Sequence, residues 1–262
     1  MSPRLGSFTR AWTCASSSEL LRHCTRNAAL VDVRLSADPS VRSGAVDSVT
    51  APRKAGSRLN RWFLHRTAKP LLFVLWSLPV VWLFWAAWND QLGANPAEAL
   101  IRSLGDWTLR ALVLVLLVTP LRVMAGWPAL ARLRRMLGLF VFFYASLHLL
   151  AYAWFDMGFE WREVLADLAK RPFILVGFLC WVLLLLMAGT SFNRAIRALG
   201  AARWRLLHRS VYAVACLAVL HFFWMRSGKN DFAEVGVYAV LLALLLGWRV
   251  WERWRPRGQL GR

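Results

Sequence analysis

Acidic side chains are scarce in this chain: 14 Asp and Glu stand against 33 Lys and Arg in 262 residues, a formal net charge of +19. Cysteine is scarcer still. Cys14, Cys24, Cys180 and Cys216 show no CxxC spacing, so they read as reduced thiols with a packing role and no catalytic one. No GxGxxG, Walker loop, HExxH or GxSxG motif is present, and no paired acids lie within an apolar run, which leaves hydrolase and nucleotide-driven pump chemistry without support.

What the chain has instead is long apolar runs. With 58% apolar residues and a mean hydropathy of +0.43, it is too apolar for an ordinary soluble domain. A hydrocarbon core of about 30 Å needs roughly 20 apolar residues per helix. Six stretches meet or approach that length: Pro70 to Trp88, Thr108 to Met124, Leu137 to Met157, Pro172 to Gly189, Leu207 to Met225 and Glu234 to Trp251. The expected fold is an all-α integral membrane protein, a bundle of six transmembrane helices.

The positive charge is spread as a topology signal. Arg58, Arg61, Arg66 and Lys69, then Arg122, Arg132, Arg134 and Arg135, then Arg194, Arg197, Arg203, Arg205 and Arg209, then Arg249, Arg253, Arg255 and Arg257 all fall at one side of such a bundle. The opposite loops are balanced or acidic. The positive-inside rule therefore puts both termini in the cytoplasm and gives nucleic acid no role. Within the core, Pro79 and Pro120 fall inside the first two spans, Pro172 suits a helix start, and 160–170 reads as an amphipathic helix on the outer surface.

Residues 1–58 are Ser-rich, basic and acid-poor and read as disordered; the composition is that of an organellar transit peptide or a membrane-proximal basic arm, but an extension created by a mis-called start is the favoured reading, with 59–254 the membrane domain and 255–262 a short basic tail. The chemistry must then lie in the bundle. His23 falls in the extension and His65 before the first span, both solvated; His148, His208 and His221 fall in or at apolar helices.

An ionisable residue at membrane depth is costly and is by default functional, and neutral imidazole is a ligand for iron, copper or zinc. Two such groups on different helices are what a bis-histidine haem requires. At 1.5 Å per residue, His148 lies roughly 16 Å from the basic side, His221 roughly 21 Å and His208 about 2 Å. Depth thus pairs His148 with His221. Tyr144, Ala145, Ala151 and Tyr152 share the face of His148, and Phe222, Phe223 and Trp224 follow His221, walls suited to a flat apolar ligand. His208, thirteen residues before His221, sits roughly 140° around a regular helix from it, and would serve a second cofactor, a quinone or merely the basic rim. Arg110 and Arg226 stand near the outer end, where they either meet haem propionates or snorkel to headgroups.

Four segments carry a resemblance. LGANPAEALIRSLGDWTLRALVLVLLVTPLR (92–122), RRMLGLFVFFYASLHLLAYAWFD (134–156), KRPFILVGF (170–178) and WRLLHRSVYAVACLAVLHFFW (204–224) together resemble the MsrQ family, formerly YedZ, within the ferric-reductase-like transmembrane group. The similarity spans about residues 60–254. It implies a haem b membrane subunit, reported also to bind FMN, that passes electrons from the quinone pool or a cytoplasmic flavin reductase across the bacterial inner membrane to MsrP. That partner, a periplasmic molybdopterin reductase, repairs methionine sulfoxide in periplasmic proteins. The family's histidines fall on His148, His208 and His221. Related oxidases hold two stacked haems on two histidines per helix; here the counterpart to His148 would be Arg134 or Arg135, so a second haem at His208 lacks a histidine partner. The other class of reading is a small transporter or cofactor-free anchor, which predicts a colourless protein.

Overall fold

The computed structural model describes residues 58–228 and 230–255, and all described regular structure is helical. The extension at 1–57 and the tail beyond Arg255 lie outside the described residues. The described residues form nine α-helices in order: α1 Arg58–Leu64, α2 Ala68–Trp88, α3 Pro96–Met124, α4 Arg134–Ala151, α5 Trp161–Lys170, α6 Pro172–Gly189, α7 Asn193–His208, α8 Val211–Ser227 and α9 Ala233–Trp254. Among the described residues six helical stretches are long and apolar enough to cross a membrane: α2, α3, α4 with its continuation to Asp156, α6, α7–α8 taken together, and α9. The chain is a multi-pass membrane protein.

The packing is pairwise. α3 lies along α4 and α6 along α8; α4 crosses α6, α9 leans on α3 and α8, and α2 packs on α3. Leu112, Leu116, Val141, Leu184, Val214 and Leu242 meet at the centre, while Leu83, Leu104, Phe140 and Tyr144 form a second cluster between α2, α3 and α4. Apolar side chains also cover the outside, with Phe73, Leu78, Val81 and Trp82 of α2 more than half exposed. Lipid is the solvent for that face.

A backbone carbonyl left over by proline is met by another helix, and side chains from neighbouring helices bond helix carbonyls. Pro120 has no N–H, so the Leu116 carbonyl one turn earlier in α3 has no helical donor. Arg249 of α9 supplies one: its guanidinium donates to Leu116 O and, at 2.8 Å, to Leu245 O. In α2, next to Pro79, the buried Tyr144 hydroxyl donates to the Trp76 carbonyl at 2.6 Å.

Three departures from the sequence reading stand out. α3 begins at Pro96 rather than near Thr108, because Asn95 caps it by accepting from the Glu98 N–H at 3.2 Å and Pro96 occupies the first turn. The segment between the fourth and fifth spans is not a loop but the Arg-rich helix α7, broken at Gly200, whose φ of 74° suits glycine. The chain then turns at Arg209 and Ser210, so His208 ends α7 and does not share a continuous helix with His221. The 140° relation drawn from one regular helix therefore does not apply. Finally, α4 ends in a π turn, Tyr152–Asp156. There the Tyr152 hydroxyl donates to Asp167 of α5 at 2.6 Å, and Arg171 pairs with the same carboxylate at 2.9 Å.

Candidate functional site

α4 and α8 bring His148 and His221 together, with ring centroids 6.2 Å apart and planes at 83°. Each imidazole is fixed from behind by a backbone carbonyl. His148 Nδ1 donates to Ile101 O at 2.8 Å, and His221 Nδ1 donates to Phe173 O at 2.6 Å. A carbonyl can only accept, so Nδ1 must carry the proton in both rings. Both Nε2 lone pairs are thereby left free.

A second pair of residues makes the arrangement possible. Gly105, four residues after Ile101 in α3, faces His148; Gly177, four residues after Phe173 in α6, faces His221. A Cβ on Gly105 would stand 3.3 Å from His148 Cε1, and one on Gly177 only 2.8 Å from His221 Cε1. Each ring therefore lies in a notch on the neighbouring helix, made by a missing side chain and closed by a carbonyl one turn before it. The sequence reading found the histidines and passed over both glycines. The signal was there, since each glycine sits inside an apolar helix where it costs about 1 kcal/mol relative to alanine.

The pair fits a bis-histidine iron on chemical grounds. Two metal–imidazole bonds of about 2.0 Å, with roughly 1.1 Å from each nitrogen to its ring centre, span about 6.2 Å. The Nδ1–carbonyl bonds are the outer-shell contacts that fix tautomer and orientation in metal-ligating histidines. Among the described residues no group of three or more His, Cys, Asp or Glu side chains converges. Nearby, the Arg226 side chain is only 13% exposed and pairs with Asp231 at 3.2 Å and Glu234 at 2.6 Å, yet its Nε is buried with no hydrogen-bond partner. A buried donor in that position is suited to a carboxylate such as a haem propionate. Arg110 instead lies over the Trp107 ring at 4.6 Å.

His208 is not part of this pair. It stacks on Trp204 at 4.1 Å, with Nδ1 donating to the Trp204 carbonyl at 3.1 Å. It lines a separate cavity of about 500 Å³ at the Arg-rich end, walled by Arg134, Arg135, Arg205 and Arg209 and floored by Leu112, Val141 and Leu184. The two arginines expected in place of a second histidine thus share a cavity with His208.

Residues 104–219 match the family model described as ferric reductase like transmembrane component. The chain is 65% identical over 194 residues to the protein-methionine-sulfoxide reductase heme-binding subunit MsrQ of Polaromonas naphthalenivorans, covering 74% of this chain and 89% of that one. The chain belongs to the MsrQ family. The MsrQ of Bordetella parapertussis is 54% identical over 190 residues, 72% of this chain and 92% of that one. That of Xanthomonas campestris is 46% identical over 185 residues, 68% and 84% respectively. No solved structure matches. The matched family segment contains Gly105, His148, Gly177 and His208 and ends two residues before His221.

Proposed function

We propose that this chain is the haem b membrane subunit of a methionine sulfoxide reductase system. The observation that carries the reading is the adjacent pair of imidazoles on α4 and α8, 6.2 Å between ring centroids, each held by an Nδ1–carbonyl bond that leaves its Nε2 lone pair free. His148 and His221 would hold the iron, and Arg226 a propionate. When bound, the haem supplies a one-electron carrier within the membrane. The protein's own part is to keep both imidazoles neutral and correctly turned, and to exclude water from the site with apolar and aromatic walls.

The Arg-rich ends of the helices face the cytoplasm in this proposal, and so do both chain termini, with the histidine pair toward the periplasmic side of the bacterial inner membrane. The second cavity then opens inward. Its guanidinium groups and apolar floor suit a flat cofactor with an anionic arm, and His208 makes it the seat of a second haem or of the FMN that the family resemblance implies. Electrons would come from the quinone pool or a cytoplasmic flavin reductase and leave to MsrP in the periplasm.

The test is an absorbance spectrum of the purified protein before and after dithionite, with a pyridine haemochrome count. His148→Ala and His221→Ala should each lose the low-spin haem signal, and His208→Ala should keep it. An unchanged spectrum in His148→Ala would sink the ligand assignment. A colourless parent protein would favour the transporter or anchor reading.

A further inference from the structure

Between α2 and α3 is a groove of about 390 Å³, lined by Leu78, Pro79, Trp82, Leu83, Ser103, Asp106, Trp107 and Arg110. Three features set it apart from an ordinary lipid-facing crevice. Asp106 makes no hydrogen bond or ion pair among the described residues, although Glu234, Arg110, Arg226 and Arg102 are the charges that bear on it. An unpaired carboxylate in a spanning helix points to a ligand rather than to packing. The groove is also aromatic, with Trp82 and Trp107 among its walls, and Trp107 stacks on Tyr144 at 6.2 Å. Lastly, Gly105, the residue before Asp106, is in contact range of His148, so one turn of α3 faces the histidine pair on one side and the groove on the other.

Depth narrows the ligand class. The α2 residues of the groove lie five to ten positions inside Trp88, about 8–15 Å from that helix end, below the level at which phospholipid headgroups sit. Whatever enters must itself be lipid-soluble, must offer hydrogen-bonding oxygens to Asp106, Ser103 and Arg110, and gains from a flat ring between tryptophans. We propose that this groove binds the ring of a lipid-soluble hydroquinone, the reduced form of a quinone, with one of its hydroxyls donating to Asp106 and with Ser103 and Arg110 donating to its other oxygen. The proposal rests on the haem reading for its purpose but not for its binding chemistry. It places a membrane-borne donor beside the histidine pair, on a different face from the Arg-rich cavity of His208.

The experiment uses the full chain in lipid nanodiscs with a short-tailed azidoquinone held in its hydroquinone form, illuminated and mapped by peptide mass spectrometry. Adducts should fall within 78–83 and 103–110 and be competed by excess unlabelled hydroquinone. Asp106→Ala should weaken labelling about tenfold, and the milder Ser103→Ala should weaken it about threefold should the first variant fold poorly. Adducts confined to the His208 cavity, or groove adducts that added phospholipid displaces and hydroquinone does not, overturn the proposal. The dithionite spectrum of the same samples reports separately on the haem reading: groove labelling in a colourless protein keeps the binding site and sinks the haem.

Discussion

Replacing Gly177 by alanine tests the notch directly, because it changes neither histidine. The added Cβ would stand 2.8 Å from His221 Cε1, 2.9 Å from Nδ1 and 3.3 Å from Nε2. Carbon contacts are comfortable at about 3.5 Å and beyond, so the ring must retreat by roughly 0.7 Å. Metal–ligand distances tolerate about 0.2 Å. The retreat also pulls on the 2.6 Å bond from Nδ1 to Phe173 O, on the helix that carries the new methyl. At Gly105 the same substitution meets His148 at 3.3 Å, an overlap of only about 0.2 Å that a small side-chain shift absorbs. Gly177→Ala should therefore lose most of its haem, or keep it with altered low-spin electron-paramagnetic-resonance g-values and a moved midpoint potential. Gly105→Ala should keep full stoichiometry with at most a small shift. Crowding of this kind costs about 1–3 kcal/mol, against the roughly 1 kcal/mol that alanine gains over glycine in a helix. The sign of the stability change is thus also informative. A Gly177→Ala protein that is more thermostable, with unchanged haem content and g-values, would refute the notch.

Three other outcomes follow from contacts elsewhere. In a thermal-unfolding double-mutant cycle in detergent, Arg249→Ala should cost about 1–3 kcal/mol in the parent and much less alongside Pro120→Ala, whose restored N–H satisfies Leu116 O; equal costs in both backgrounds would show that Arg249 acts otherwise. Tyr152→Phe removes the 2.6 Å bond to the buried Asp167 and should cost about 1–2 kcal/mol, raising hydrogen exchange in α5 while leaving α6 protected. His208→Ala should leave the spectrum of the His148–His221 haem intact and remove only absorbance belonging to a second cofactor in the Arg-lined cavity, read as a change in cofactor-to-protein ratio.

The spans were legible because a bilayer imposes a length on apolar runs that nothing else in a soluble fold imposes. The pairing of His148 with His221 was legible for the same reason, since depth along a helix is a count of residues. Angular position was not. The reasoning that separated His208 from His221 assumed one continuous helix, and the turn at Arg209–Ser210 depends on tertiary packing that no periodicity records. α7 was missed because its Arg-rich stretch fails a hydropathy test while remaining a good interfacial helix, and the π turn at Tyr152–Asp156 was missed because one extra residue per turn leaves no compositional mark.

The two glycine notches deserve a physical account beyond local fit. Ile101 and Gly105 in α3 stand to His148 as Phe173 and Gly177 in α6 stand to His221: a carbonyl, then a glycine one turn later, facing a histidine on the adjacent helix. In a membrane a buried imidazole N–H without an acceptor costs several kcal/mol, and helix carbonyls are the commonest acceptors at hand. They are normally shielded by the side chain at the next turn. Removing that side chain lets the ring approach side-on, sharing a carbonyl already engaged in its helix. The bond then fixes which nitrogen keeps the proton, so each ring keeps its Nε2 lone pair free. A histidine without such a notch could satisfy itself equally well through Nε2, and its free nitrogen would point back into its own helix. His208, which bonds the Trp204 carbonyl of its own helix, is held by local geometry alone. On this argument, moving either glycine one residue along its helix should disorder the matching histidine even though composition is unchanged: Gly177→Phe with Phe178→Gly should lose haem as fully as His221→Ala does, and retention of a normal low-spin spectrum in that double variant would show that the carbonyl, not the missing side chain, sets the site.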